Sequence, residues 1–137
     1  MISTVAVGTD GSETASEAVR QAADYARRFD AKLILLSAFE DGPPPSDADE
    51  RQWAYNPAAR VREILSRTEA EIKAQGIDCT TVIDEGDPAD VVVRLAGECR
   101  ADILVIGNKG MRRKMLGSVP NSIIHKADCS VLVVKTT

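Results

Sequence analysis

The chain has 137 residues, 44% of them apolar and 28% charged, with a formal net charge of −4. That size and balance predict one globular domain spanning residues 1–137 and exclude wholesale disorder or a fibrous architecture. The acidic excess argues against the broad basic face that nucleic-acid binding requires. No stretch approaches the roughly 18 apolar residues of a membrane span, and the start of the chain lacks a secretory pattern, so a cytoplasmic protein without nucleic-acid or membrane partners is expected.

The first apolar run, TVAVG (Thr4–Gly8), is continuous rather than alternating, the pattern of a strand covered on both faces in a parallel sheet. GTDGS follows (Gly8–Ser12): its glycines permit close backbone approach, Asp10 offers a carboxylate, and Ser12 suits a helix N-cap. Taken alone, these residues equally describe a well-made strand-to-helix turn. The next helix carries Ala15, Ala18, Val19, Ala22, Ala26 and Phe29 on one stripe, small enough for close packing on a sheet. A second buried strand is expected at LILLS (Leu33–Ser37).

Glu40–Asn56 (EDGPPPSDADERQWAYN) is too long for an ordinary strand-to-helix connection and reads as a lid or a loose loop. Its Trp53 and Tyr55 suit either anchoring to the core or stacking on a flat ligand. A second helix fits from Pro57 to Gly76, with Val61, Ile64, Leu65, Thr68 and Ile72 at helical spacing. CTTVI (Cys79–Ile83) is less apolar and is expected at a sheet edge. Asp87 then caps a third helix with Pro88 at its first position and Val91, Val92, Leu95, Ala96 and Cys99 inward. ILVIG (Ile103–Gly107), a helix from about Ser118 to Ala127, and VLVV (Val131–Val134) complete a strict strand–helix alternation. Such alternation implies right-handed crossovers and a doubly wound parallel α/β sheet.

Three cysteines, Cys79, Cys99 and Cys129, are odd in number and lack CxxC spacing, which favours reduced structural thiols over disulfides or a zinc site. The single histidine, His125, has no nucleophile motif such as GxSxG beside it and is expected on a helix surface. No catalytic residue stands out.

In open parallel sheets ligands bind outside the carboxyl ends of the strands, where strand order reverses. The loops after the first and fourth strands are therefore the candidates. After the fourth comes GNKGMRRKMLGS, with Gly107, Gly110 and Gly117 followed by Ser118 at a helix start, where free N–H groups and the helix dipole attract a phosphate. It matches neither the Walker A loop nor the dinucleotide fingerprint.

The stretches VAVGTDGSETASEAV, GDPADVVVRLAGECRADILVIGNKG and LGSVPNSIIHKADCSVLVVKT together resemble the universal stress protein family along the whole chain. The resemblance implies a five-stranded sheet of order 3-2-1-4-5 with helices on both faces, of the adenine nucleotide alpha hydrolase-like type. It also implies a cytoplasmic stress-response role, homodimers joined through the last strand, and, in one branch, binding of ATP or another adenine nucleotide. Position by position it assigns Gly107, Gly110, Gly117, Ser118 and Val119 to the phosphate and ribose loop. Asp10 takes the acidic position near the nucleotide, Ala38 the backbone position at the adenine edge, and Thr9 the neighbouring one.

Six residues stand between Gly110 and Gly117, where the family's nucleotide motif has nine. Lys109, Arg112, Arg113 and Lys114 would then supply by side chain what a shorter loop loses in backbone donors, or they form a solvated surface run. The expected function is a sensor or carrier that holds ATP, with at most slow hydrolysis and with Asp10 meeting a phosphate-bound Mg²⁺. The alternatives are a nucleotide-free dimeric interaction module and a cyclic-nucleotide binder. Ser130–Lys135 (SVLVVK), an apolar edge with little charge to block pairing, is the expected dimer contact.

Overall fold

The computed structural model describes residues 1–10, 13–40, 57–108 and 118–135. Five strands and four helices alternate: β1 (Thr4–Gly8), α1 (Glu13–Phe29), β2 (Lys32–Phe39), α2 (Pro57–Lys73), β3 (Cys79–Glu85), α3 (Pro88–Glu98), β4 (Ile103–Gly107), α4 (Ser118–Lys126) and β5 (Ser130–Val134). The strands form one sheet of order β3-β2-β1-β4-β5. All pairings are parallel, with Val5 opposite both Leu33 and Ile103, Leu33 opposite Cys79, and Ile103 opposite Ser130. The expected doubly wound order is thus present, and the less apolar strand β3 is at an edge.

The period of two in the strands divides the interior into two cores. Val5, Val7, Leu33, Leu35, Cys79 and Val105 face Ala18, Val19, Ala22, Ala23 and Ala26 of α1 and Ile72 of α2. Ala6, Ile34, Leu36, Leu104 and Ile106 face Ala89, Val91, Val92, Leu95 and Ala96 of α3 and Ile123 of α4. Apolar residues on both faces of one strand are what made these runs continuous in the sequence. The alanines of α1 let its backbone lie close to the sheet.

Helix ends follow local chemistry. The Asp87 side chain accepts the Asp90 N–H at 3.2 Å, and Pro88 occupies the first turn. Gly76 closes the turn after α2 at φ +84°. α3 ends with Arg100 at φ 55°, its N–H donating to Gly97 O at 3.1 Å and that of Ala101 to Ala96 O at 3.0 Å. α1 ends alike, with Asp30 at φ 54° and the Ala31 N–H donating to Ala26 O at 2.8 Å. Both are left-handed C-terminal caps built without glycine.

The expected inward stripe of α1 fails at its end, because Phe29 is 47% exposed. It is the last residue of α1, and Tyr25, one turn earlier, packs on the core instead. The cysteines are unbridged, with Cys79 buried and Cys99 and Cys129 half-buried. Burial pushes the Cys79 thiol up to about 12. His125 lies exposed on α4. Among the described residues no helix is long and apolar enough to cross a membrane.

Candidate functional site

Strand order reverses between β1 and β4. The chain passes from β1 outward to β2 and β3, then returns through α3 to β4 on the other side of β1. The helices of the two halves lie on opposite faces of the sheet, the arrangement in which open parallel sheets bind ligands outside the carboxyl ends of the strands at the reversal.

The ladder continues just past both strands. The Thr9 N–H donates to Leu36 O at 2.9 Å and the Asn108 N–H to Val134 O at 3.0 Å, so both residues are fixed by backbone bonds where the chain leaves the sheet. The pairing ends with Val7 opposite Val105 and Gly8 opposite Leu36, so Thr9 and Asp10 leave β1 at the end where Ala38 closes β2 and Gly107 closes β4. Thr9 is buried, Asp10 is exposed, and Ala38 and Gly107 are half-buried. Four expected site residues thus lie at the carboxyl ends of β2, β1 and β4.

α4 runs back across the sheet from that same edge, since it must deliver the chain to the start of the parallel strand β5. Its first residues, Ser118 and Val119, are exposed, while Pro120 and Ile123 are buried. The N–H groups of a first helical turn lack intrahelical acceptors, so this end presents donors and the positive end of the helix dipole. Pro120 contributes no N–H, which leaves one donor fewer. Gly110, Gly117, Ser12, Trp53, Tyr55 and the basic residues Lys109, Arg112, Arg113 and Lys114 lie outside the described residues.

Gly8 also serves helix packing. A Cβ built on it would lie 3.2 Å from Val92 Cγ1 and 3.6 Å from Ile106 Cγ2. Its missing side chain lets α3 settle against the end of β1. Gly86, at φ +138°, turns the chain into α3, and its N–H donates to Phe39 O at 2.8 Å beside the end of β2.

Among the described residues the buried polar ones are Thr9, Ser37 and Asn108. All three are at the carboxyl ends of the three central strands. Sequence reasoning passed over Ser37 and Asn108, although each is a polar residue closing a run otherwise apolar on both sides. Among the described residues no group of three or more His, Cys, Asp or Glu side chains could hold a metal.

A groove of about 410 Å³ lies between α2 and β3 and is lined by Arg62, Ser66, Glu69, Thr81, Val82 and Ile83. A Thr81 Oγ1–H bond to Glu69 Oε1 at 2.9 Å spans it. It stands apart from the carboxyl ends of β1 and β4.

The chain is similar to proteins of known family. The model of the universal stress protein family matches residues 1–135. A universal stress protein of Mycobacterium tuberculosis is 38% identical over 144 residues, covering 98% of this chain and 97% of its own. One of Methanocaldococcus jannaschii is 31% identical over 137 residues, covering 96% of this chain and 81% of its own. Among solved structures, a universal stress protein in complex with cAMP superposes with a TM-score of 0.78 at 35% identity, covering 99% of this chain and 98% of that one. One from Archaeoglobus fulgidus in complex with dAMP has a TM-score of 0.75 at 26% identity, covering 98% and 100%. The model matches nearly the whole chain, the relatives cover it end to end, and the strand order is the one the resemblance implied, so the chain belongs to the universal stress protein family.

Proposed function

We propose that this protein binds an adenine nucleotide, ATP foremost, outside the carboxyl ends of β1 and β4 and serves as a cytoplasmic stress-response sensor or carrier. The observation that carries the reading is the coincidence of the strand-order reversal with Ala38, Thr9, Asp10 and Gly107 at the carboxyl ends of β2, β1 and β4 and with the start of α4. The complexes of related proteins with cAMP and dAMP support it. In this reading Ala38 offers backbone to the adenine edge, and Thr9 and Asp10 border the ribose and phosphates. Gly107, Gly110, Gly117, Ser118 and Val119 surround the phosphate chain, and Mg²⁺ is held mainly by the phosphates. The reading assigns no residue the role of catalytic base: the nucleotide is held, with slow hydrolysis at most.

A second reading, cyclic-nucleotide binding at the same strand ends, is favoured by two observations. The loop between Gly110 and Gly117 has only six residues, and a 35%-identical relative holds cAMP. One phosphate needs less loop than three.

Assembly as a homodimer through β5 completes the proposal. β5 is an edge strand whose Val131, Leu132 and Val133 are only half-buried, and little charge protects it from pairing. Val133→Lys should shift a sedimenting dimer toward monomer, and a wild type that sediments as monomer at micromolar concentration rejects the contact.

The ligand is tested by heating freshly purified protein, identifying released small molecules by mass spectrometry, and titrating the emptied protein with ATP and cAMP by calorimetry. Release of an adenine nucleotide and saturable ATP binding are expected, with loss of binding in Gly117→Val. Retention of cAMP with no ATP affinity selects the second reading. Neither release nor saturable binding refutes both and leaves the interaction module.

A further inference from the structure

We propose that the free edge of β3 and the groove between α2 and β3 form a docking site for an extended segment of a partner protein, one that sets a carboxylate against Arg62. The site lies at the opposite edge of the sheet from β5 and does not depend on the nucleotide reading. The phase of the β3 ladder identifies the groups on offer. At its two ends the Leu33 N–H donates to Asp78 O at 2.8 Å and the Gly86 N–H to Phe39 O at 2.8 Å. In a parallel pair both backbone groups of one residue turn to the neighbouring strand and those of the next turn away, so the even-numbered residues from Asp78 to Gly86 bond β2. Thr81 and Ile83 therefore aim their N–H and C=O groups outward, where they have no backbone partner among the described residues. The edge also lacks the usual safeguards against pairing. β3 has seven residues, roughly 23 Å of strand, paired to β2 without a bulge and containing no proline, glycine or lysine. Its Asp84 is turned to the α3 face and neutralised by Arg94 at 2.8 Å.

α2 supplies the wall. Arg62, Ser66 and Glu69, four and three positions apart, share one stripe of the helix and line the groove with Thr81, Val82 and Ile83. α2 runs against β3, since it must return the chain to the start of a parallel strand. Glu69 meets the Thr81 hydroxyl at 2.9 Å, and Arg62, two turns earlier, stands toward Ile83. Glu63 and Glu69 are paired with Arg67 and Lys73 at 2.8 and 3.1 Å, whereas Arg62 has no ion pair among the described residues. The groove thus joins a row of unused backbone groups to one uncompensated positive charge. Recognition by strand addition uses those two features: ladder bonds hold the guest's backbone, and its alternate side chains reach the flanking wall. A β-branched segment with Asp or Glu facing Arg62 matches both. A second copy of β3, paired about a two-fold axis centred on Thr81 and Ile83, would run the other way and bring its Glu85 to the Cys79 end, away from Arg62. Charge therefore favours a different chain.

The full-length protein is used to select from a phage-displayed random heptapeptide library. A fluorescent synthetic copy of the enriched sequence is then titrated against wild type, Arg62→Glu and Ile83→Pro, with thermal melts of each and hydrogen exchange of the wild-type complex. Enriched peptides are expected to be rich in β-branched residues with an acidic residue at one fixed position, to bind one per chain, and to protect the Thr81 and Ile83 amides. Arg62→Glu should weaken binding about fivefold or more. Ile83→Pro, which removes one outward N–H and none of the bonds to β2, should weaken it about tenfold. If Ile83→Pro does not fold, Arg62→Glu and the amide protection decide. No enrichment, Arg62→Glu binding within about twofold of wild type, or a complex whose Thr81 and Ile83 amides exchange freely overturns the inference. Protection of those amides in the protein alone that grows with its concentration also overturns it and assigns the edge to a second copy.

Discussion

Replacing Gly8 by alanine should destabilise the protein by about 1 kcal/mol, although alanine is the better strand residue. The added Cβ would sit 3.2 Å from Val92 Cγ1, 3.5 Å from Cγ2 and 3.6 Å from Ile106 Cγ2. Favourable carbon contacts begin near 3.5 Å. Val92 is 5% exposed and β-branched, and both its methyls face the new atom, so a rotamer change offers no escape. α3 must instead shift by a few tenths of an ångström. Overpacking of this kind costs about 1–3 kcal/mol, and the reduced backbone freedom of alanine returns about 0.5–1 kcal/mol. The net loss corresponds to a fall in Tm of about 3–4 °C for a chain of this length. Urea melts of Gly8→Ala, Val92→Ala and the double variant measure it. Val92→Ala alone removes two buried methyls at a cost of about 1–3 kcal/mol, but in the Gly8→Ala background it also relieves the contact, so the pair should cost less than the sum. A Gly8→Ala protein as stable as wild type, or strict additivity within about 0.3 kcal/mol, would refute the assignment of Gly8 to helix packing.

Arg100→Gly should stabilise the protein by about 0.5 kcal/mol, because relief of the left-handed cost at φ 55° exceeds glycine's added unfolded-state freedom; a lower urea midpoint would contradict this. The N–H groups of Ser3 and Thr4 donate to Asp102 Oδ2 at 2.8 and 2.9 Å, and these bonds hold its carboxyl below the usual aspartate range. A lowered folded value means that the contribution is complete above about pH 4 and is lost as pH falls through that folded value. Wild-type stability should therefore drop more steeply on acidification than that of Asp102→Asn, and parallel pH profiles would refute the role. Cys79, buried and with its thiol raised to about 12, should resist a disulfide reagent at pH 8 until the protein unfolds. Peptide mapping that finds Cys79 labelled in the native state as fast as Cys99 and Cys129 would count against that burial.

The continuous apolar runs, the helix cap at Asp87–Pro88, the glycine stop at Gly76 and the order of elements were all legible in the sequence. Each depends on contacts within a few residues or on how much of a strand both faces must bury. The family was legible too, because its motifs keep their spacing along the chain. Tertiary structure decided the rest. Gly8 is glycine because of Val92, a partner 84 positions away whose approach depends on how α3 crosses the sheet. Phe29 continues the apolar stripe of α1, yet at the last position of the helix it is left 47% exposed. Asn108 and Ser37 look like the polar ends of strands, and only the layers on either side bury them. Burial is a property of what two distant segments do together, so a local pattern identifies the strand but not what covers its last residue.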